Sequence, residues 1–319
     1  MSVGLVDTRI QTLVQAVVAK ARLVRVSALS AGMSAQMSVA EIQCVNGEHR
    51  RLVLRQCAGA NRAEQNRAAK YETELLRLTR EAGITSPASY TLSTDNESCN
   101  GIVIMECVDG EPNYDPPNRL THAGVLAEQL ATIHRVDCVD SRLAFLAVRT
   151  LRSTEPKTGP FDEADASLQA RKIRAALDNA KPLVQDNPST LLHGDFWPGN
   201  VLWREQRLVA VVDWEDACFG DPLFDLSVTR LDLAWILGID AMDAFTERYR
   251  SLMAIDYRNL PIWDLLAALR LIRISDGDFS DWAANWRTPP YNRADITERW
   301  LRDVYQTFLT RAFTNLARQ

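Results

Sequence analysis

The hydrophobic period of this chain changes once, near residue 108, and that change limits the folds open to it. Before it, short β-prone runs at 23–29, 37–45, 50–55 and 101–108 alternate with turn signals. Asn46-Gly47, between the second and third runs, is a strong hairpin signal. An amphipathic helix is predicted over 8–21, where Ile10, Leu13, Val14, Val17 and Val18 recur at helical spacing, and one long helix over 63–82, stopped by Gly83. The small residues of 30–35 read as a flexible turn. After residue 108 helices dominate: 121–135, with Val125, Leu126, Leu130 and Ile133 on one stripe, then 168–184, then most of the chain from Phe224. Pro116 and Pro117 mark a linker at 113–118, and 153–160 reads as a polar loop. The sum is an α+β chain, with a small antiparallel-sheet unit over 1–108 that carries one long helix and a larger, mainly helical unit over 109–319.

Composition removes several functional classes. The formal charge of -5 supplies no basic face for nucleic acid, and no apolar run approaches the ~20 residues of a membrane span. The six cysteines, Cys44, Cys57, Cys99, Cys107, Cys138 and Cys218, form no Cys-x-x-Cys pair and have no histidines clustered with them. They read as reduced, mostly buried thiols. With no basic-then-apolar leader pattern, a cytoplasmic location is expected. Oligomeric state is not legible.

The stretch His193-Gly194-Asp195-Phe196-Trp197-Pro198-Gly199-Asn200 sets an aspartate and an asparagine on one short loop, shaped by Pro198 and Gly199. An aspartate there can orient a hydroxyl and accept its proton, while the asparagine reaches a metal ion on phosphates. A hairpin is predicted next, with strands over 201–203 and 208–212. Asp213 leaves the return strand, so its carboxylate is poised to bind a hard cation. The order His-x-Asp-x-x-x-x-Asn fits the catalytic loop of kinases.

With Gly220-Asp221-Pro222-Leu223-Phe224-Asp225 added, these residues resemble the aminoglycoside phosphotransferase family, whose wider group includes choline kinase-like, homoserine kinase-like and macrolide kinase-like enzymes. The resemblance runs from about residue 27 to 225. It implies a two-lobed protein-kinase-like fold with a hinge near 105–110, ATP and Mg2+ as cofactors, and a hydroxyl on a small molecule as phosphate acceptor. It implies Asp195 as the catalytic residue, Asn200 and Asp213 as metal ligands, and His193 as support for the loop. Asp225 either braces the loop or caps the following helix. The loop 30–34 would cover the phosphates, with Ser34 as a contact. Val53 and Arg55 share one strand face, so Val53 could roof the adenine while Arg55 reaches the phosphates. On a helical wheel Glu72 falls among Ala68, Leu75 and Leu76, whereas Glu74 falls outside that arc, which selects Glu72 as the partner of Arg55. The carbonyl of Glu106 and the amide of Val108 would hold adenine. The sequence departs from the family in two places: Arg55 stands where lysine is usual, and Trp214-Glu215 replaces Phe-Gly after the metal aspartate.

The acceptor is less legible. Glu215 follows the metal aspartate and faces either a cleft or solvent. Asp276, Asp278, Asp281, Trp282 and Trp286 interleave acids with rings, which suits a cationic group on the acceptor, or equally a solvated loop with tryptophans packed on the core. Aminoglycoside-like, amino alcohol and sugar acceptors all fit. A nucleotide-binding regulatory module without transfer is the alternative, favoured only by Arg55. A protein kinase is disfavoured because no Ala-Pro-Glu motif follows Asp213.

Overall fold

The computed structural model describes residues 3–29, 36–92, 101–136, 141–150, 168–180 and 187–318. Ser34 and its loop, the 153–160 loop, the end of the predicted 168–184 helix, Cys99 and Cys138 lie outside them. The chain forms two compact units: unit 1 is Met1–Gly110 with Val209–Trp214, and unit 2 is Glu111–Leu208 with Glu215–Gln319. The sequence reading set one boundary, between 108 and 109, and took both units as continuous stretches; residues 209–214 cluster with unit 1. They are held there by a main-chain bond, Val211 N donating to Thr85 O at 2.7 Å.

Unit 1 opens with α1 (Val3–Val17), which ends earlier than predicted because Lys20 turns the chain at φ +58° into the first strand. β1 (Arg22–Leu29), β2 (Met37–Gln43) and β3 (His49–Gln56) form a meander. Asn46-Gly47 makes the second turn, with Gly47 at φ +82°. Then come α2 (Arg62–Glu81), β4 (Ser89–Tyr90) and β5 (Ile102–Glu106), and the sheet runs β1-β2-β3-β5-β4. Leu13 and Val14 of α1 pack on Ala40, Ile42, Leu52, Leu54 and Ile104 of this sheet, the inward half of a period-2 pattern. A reciprocal cap sets the start of α2: Asn61 Oδ1 accepts from Glu64 N at 3.0 Å, and Glu64 Oε2 accepts from Ala60 N at 2.9 Å. Its far end closes at Gly83, φ +83°. These two ends fix the rotation of α2 and therefore which of its glutamates meets the sheet.

Unit 2 contains β6 (Glu111–Pro112), α3 (Arg119–Ile133), β7 (Val148–Arg149), α4 (Ala170–Ala180), β8 (Thr190–Leu192) and β9 (Val201–Arg204). β10 (Arg207–Val211) begins in unit 2 and ends in unit 1. β11 (Cys218–Gly220), α5 (Leu223–Leu237), α6 (Ile239–Leu252), α7 (Leu260–Ile274), α8 (Phe279–Trp286) and α9 (Glu298–Leu316) complete it. Every residue of α5 is buried, so this helix is the axis on which α6, α7 and α9 pack. A helix apolar on all sides has no solvent face, and the charges it carries must be paired. The small sheet β7-β11-β8 was not legible in the sequence, since strands of two or three residues carry no periodicity. Among the described residues no helix is long and apolar enough to cross a membrane. Of the four described cysteines, all free, Cys57 and Cys218 are buried while Cys44 and Cys107 are half-buried.

Candidate active site

In unit 2 the loop 193–200 hangs from one carboxylate. Asp225, on the first turn of α5, is fully buried and accepts from His193 N at 2.7 Å and Gly194 N at 3.0 Å. His134 Nε2 lies 3.3 Å from the same side chain, and His134 Nδ1 meets the Tyr249 hydroxyl at 2.6 Å. Burial alone would push Asp225 up. The His134 hydrogen bond and the nearby histidines and amide outweigh burial and hold it below the usual carboxylate range. Of the two sequence readings for Asp225, the contacts match a brace on the loop. His193 is buried, its ring accepting from Asp195 N at 3.3 Å. Thr229 Oγ1 donates to Phe196 O at 2.6 Å, which pins the middle of the loop.

Two glycines are required here. Gly194 sits at φ +85°, and a Cβ on it would come 2.2 Å from Asp216 O. A Cβ on Gly199 would meet the Trp197 ring at 2.2 Å. The loop closes as a single turn, Pro198–Asn200, which brings Asn200 back onto Asp195. Asn200 Nδ2 donates to Asp195 O at 2.9 Å and to Asp195 Oδ2 at 3.1 Å, leaving the amide oxygen with no hydrogen bond among the described residues. Asp195 keeps 26% of its side chain exposed.

Sequence reasoning missed two groups around Asp195. Arg270 Nη2 of α7 forms an ion pair with Asp195 Oδ1. Asp232 of α5, buried and accepting from Trp235 Nε1 at 3.2 Å, is pushed up to about 7. Burial is the main cause; the Arg270 charge opposes it and the Asp195 charge adds to it. A charge inside a mainly apolar helix was the available signal: Arg270 stands in a run whose other members from Leu260 to Ile272 are all buried. The signal is not selective, because Arg230 and Asp264 carry it too, and they pair with each other at 3.0 Å inside the helical core.

The C-terminal acids and rings divide. Trp286 is buried in a ring cluster, stacked on Tyr291 at 4.2 Å and edge-on to Trp235 at 4.6 Å and Tyr114 at 5.2 Å. Tyr114 stacks in turn on Trp197 at 6.0 Å. Trp282 is half-buried against Trp235, ring centroids 6.0 Å apart. Asp276, Asp278 and Asp281 are exposed, and Asp278 caps α8 by accepting from Ser280 N at 2.8 Å. Glu215 is exposed on a one-turn helix, Trp214–Asp216.

In unit 1, Val53 and Arg55 lie on β3, opposite Met105 and Val103 of β5. Arg55 is 4% exposed and Glu72 8%, and Arg55 Nη1 forms an ion pair with Glu72 Oε2. Glu74 turns away and accepts from Arg77 Nε at 3.0 Å. Arg55 Nη2 also lies 3.5 Å from Asp213 Oδ1. Asp213 occupies the left-handed region at φ +64°, which few side chains other than Asn and Asp tolerate. Val53 is buried beneath this face. Glu106 ends β5 with an exposed side chain, its N–H donating to Ala88 O at 2.8 Å, and Val108 follows, half-buried. Among the described residues no three His, Cys, Asp or Glu side chains cluster as a ready-made metal site.

A family model described as the phosphotransferase enzyme family matches residues 34–269. The chain belongs to that family. One similar curated protein is acyl-CoA dehydrogenase family member 11 of Rattus norvegicus, 33% identical over 210 residues that make up 54% of this chain. The chain spans only 26% of that relative's length. A thermostable mutant of aminoglycoside phosphotransferase APH(4)-Ia, solved as a ternary complex with AMP-PNP and hygromycin B, superposes with a TM-score of 0.60 at 18% identity, covering 96% of this chain and 98% of that one. Macrolide 2'-phosphotransferase MphH from Brachybacterium faecium gives 0.58 at 18% identity, over 91% and 97% of the two chains. At such identities the likeness is one of fold, and the fold is the kinase-like one of these phosphotransferases.

Proposed function

We propose that the protein is an ATP- and Mg2+-dependent phosphotransferase that moves the γ-phosphoryl group to a hydroxyl of a small molecule. Aminoglycoside-like, amino alcohol and sugar acceptors are the classes to try first. The observation that carries the proposal is the closed loop of unit 2: Asp195, a quarter exposed, held by Asn200 Nδ2 while Asp225 fastens the loop from behind. An aspartate so fixed can orient an acceptor hydroxyl and take its proton as the new O–P bond forms and the β–γ bridging bond breaks, with ADP leaving.

The residues present suit the cofactors. Asn200 offers a carbonyl oxygen, and Asp213 a carboxylate with 34% of its side chain exposed; both are hard oxygen donors. They are the groups that would hold Mg2+, which when bound offsets charge on the phosphate oxygens. Val53, Glu106 and Val108 are assigned to adenine, and Ser34 to a phosphate, on the family's pattern. Arg55 keeps its carboxylate partner on α2, which counts against the regulatory alternative.

The test is transfer of labelled γ-phosphate from ATP to a panel of hydroxylated amines, sugars and amino alcohols. Asp195→Asn should lower transfer by about 10²–10⁴-fold while Mg-ATP still binds. Near-normal turnover in that variant would remove Asp195 from its role. Mg-ATP binding by the wild type without transfer to any acceptor would favour the regulatory module.

A further inference from the structure

We propose that Arg55 is a positioning residue for Asp213, and that it acts on the nucleotide through this carboxylate and its cation rather than by gripping the phosphates. The inference rests on the ATP–metal reading above and explains why arginine replaces the usual lysine.

Arg55 reaches two carboxylates that come from different parts of unit 1. Nη1 meets Glu72 Oε2 on α2, and Nη2 lies 3.5 Å from Asp213 Oδ1 just beyond β10. A guanidinium can do this because its donors sit at fixed positions on a rigid plane, and two of them can address two acceptors at once. An ammonium also has several donors, but all on one nitrogen, so both carboxylates would have to converge on a single point at the end of a flexible stem. Arg55 is also 4% exposed, so most of its surface is committed to protein.

Asp213 needs the support. Its backbone sits at φ +64°, in the sparsely populated left-handed region, where a fixed side-chain partner helps to hold one conformation. The chemistry of the partners points the same way: Arg55 faces two carboxylates, Glu72 and Asp213, and carboxylate oxygens attract a divalent cation and repel phosphate oxygens. A direct Arg55–phosphate grip would have to compete with both carboxylates for a guanidinium that is itself almost fully buried.

The experiment measures ATP affinity of the full chain across a range of Mg2+ concentrations, for the wild type, Arg55→Lys and the double variant Arg55→Gln/Glu72→Gln. The double variant removes both partners of the buried pair and so avoids stranding one charge if Arg55→Gln alone fails to fold. If Arg55 positions a metal ligand, the Mg2+ concentration at half-effect rises by roughly 10–100-fold in both variants, the range typical of groups that orient metal ligands. ATP affinity then returns toward wild type at saturating Mg2+. Mn2+ binding to the protein–ATP complex, read by electron paramagnetic resonance, should weaken in parallel. A loss of ATP affinity by the same factor at every Mg2+ concentration, with Arg55→Lys close to wild type, would show a phosphate anchor and overturn the proposal. A wild type that binds no Mg-ATP at all would instead bring down the phosphotransferase reading.

Discussion

At the candidate site each unit contributes an arginine that faces acidic side chains, Arg55 in unit 1 and Arg270 in unit 2, and the two arrangements differ in solvent. In unit 1 the Arg55 side chain is 5% exposed and forks between Glu72 and Asp213. In unit 2 the Arg270 side chain is 24% exposed; it pairs with Asp195, while Asp232 lies buried within reach of its charge. Water screens an exposed ion pair and can replace either partner, so such a pair is soft and exchangeable. A buried fork has no water to fall back on, so it is rigid and its loss is costly. Unit 1 therefore holds its carboxylates in fixed positions, whereas unit 2 leaves the Asp195–Arg270 pair exchangeable; on the proposed function, an incoming acceptor would take the place of Arg270.

The sharpest break in this contrast is Glu72→Ala. It removes the buried carboxylate partner of Arg55, and should destabilise unit 1 by about 3 kcal/mol, the lower end for breaking a buried pair. The denaturant midpoint of unfolding checks this. A change below about 1 kcal/mol would mean that the Arg55 site admits water and is no different in kind from Arg270.

What the sequence made visible follows the same division. The β2–β3 hairpin, α2, the loop 193–200 and the hairpin after it were legible because each is local: a turn signal, a helical period, a fixed spacing. Even the choice between Glu72 and Glu74 could be made on a helical wheel, and in the structure Glu72 meets Arg55 while Glu74 meets Arg77. Arg270 and Asp232 were not legible. Their meaning depends on α5 and α7 bringing residues far apart in sequence to the same loop, and no local pattern encodes that. The return of 209–214 to unit 1 was not legible for the same reason, since it depends on a bond to Thr85. The acids near Asp278 stayed ambiguous in the sequence, because a helix cap and a cation site have the same composition, and Asp278 does cap a helix.

Asp232 tests how dry unit 2 is beside Arg270. Its folded pKa, about 7, lies above the ordinary carboxylate value, so the native state holds its proton more tightly than the unfolded chain does. Stability should therefore fall as pH rises from about 4 to about 7 and level off above that. Asp232→Asn removes this slope. The variant should be more stable than wild type at pH 8, by on the order of 2 kcal/mol, with the gap closing toward pH 5. Thermal melts at the two pH values decide it. A gap that does not change with pH would mean that Asp232 is ionised and solvated, with Arg270 as a full partner.

Arg270→Gln should cost less, about 1 kcal/mol or below, because its ion pair with Asp195 is partly screened. A loss matching that of Glu72→Ala would erase the contrast between the two arginines and make Arg270 a structural brace.

The smallest effect belongs to Glu74→Gln, which serves as the control for unit 1. Glu74 lies two residues beyond Glu72 on the same helix and also has an arginine partner, Arg77, yet Arg77 keeps 42% of its side chain exposed and has Glu81 as a second partner. Helix position and charge type are thus matched to Glu72, and solvent is the main variable left. Screening and the remaining Glu81 contact should hold the change within about 0.5 kcal/mol, and Mg-ATP binding should not move. Unfolding midpoints for Glu72→Gln and Glu74→Gln, measured side by side, isolate burial as the cause. Equal losses would mean that any glutamate–arginine pair on α2 contributes alike, and the case for Arg55 as a rigid fork would lose its physical basis.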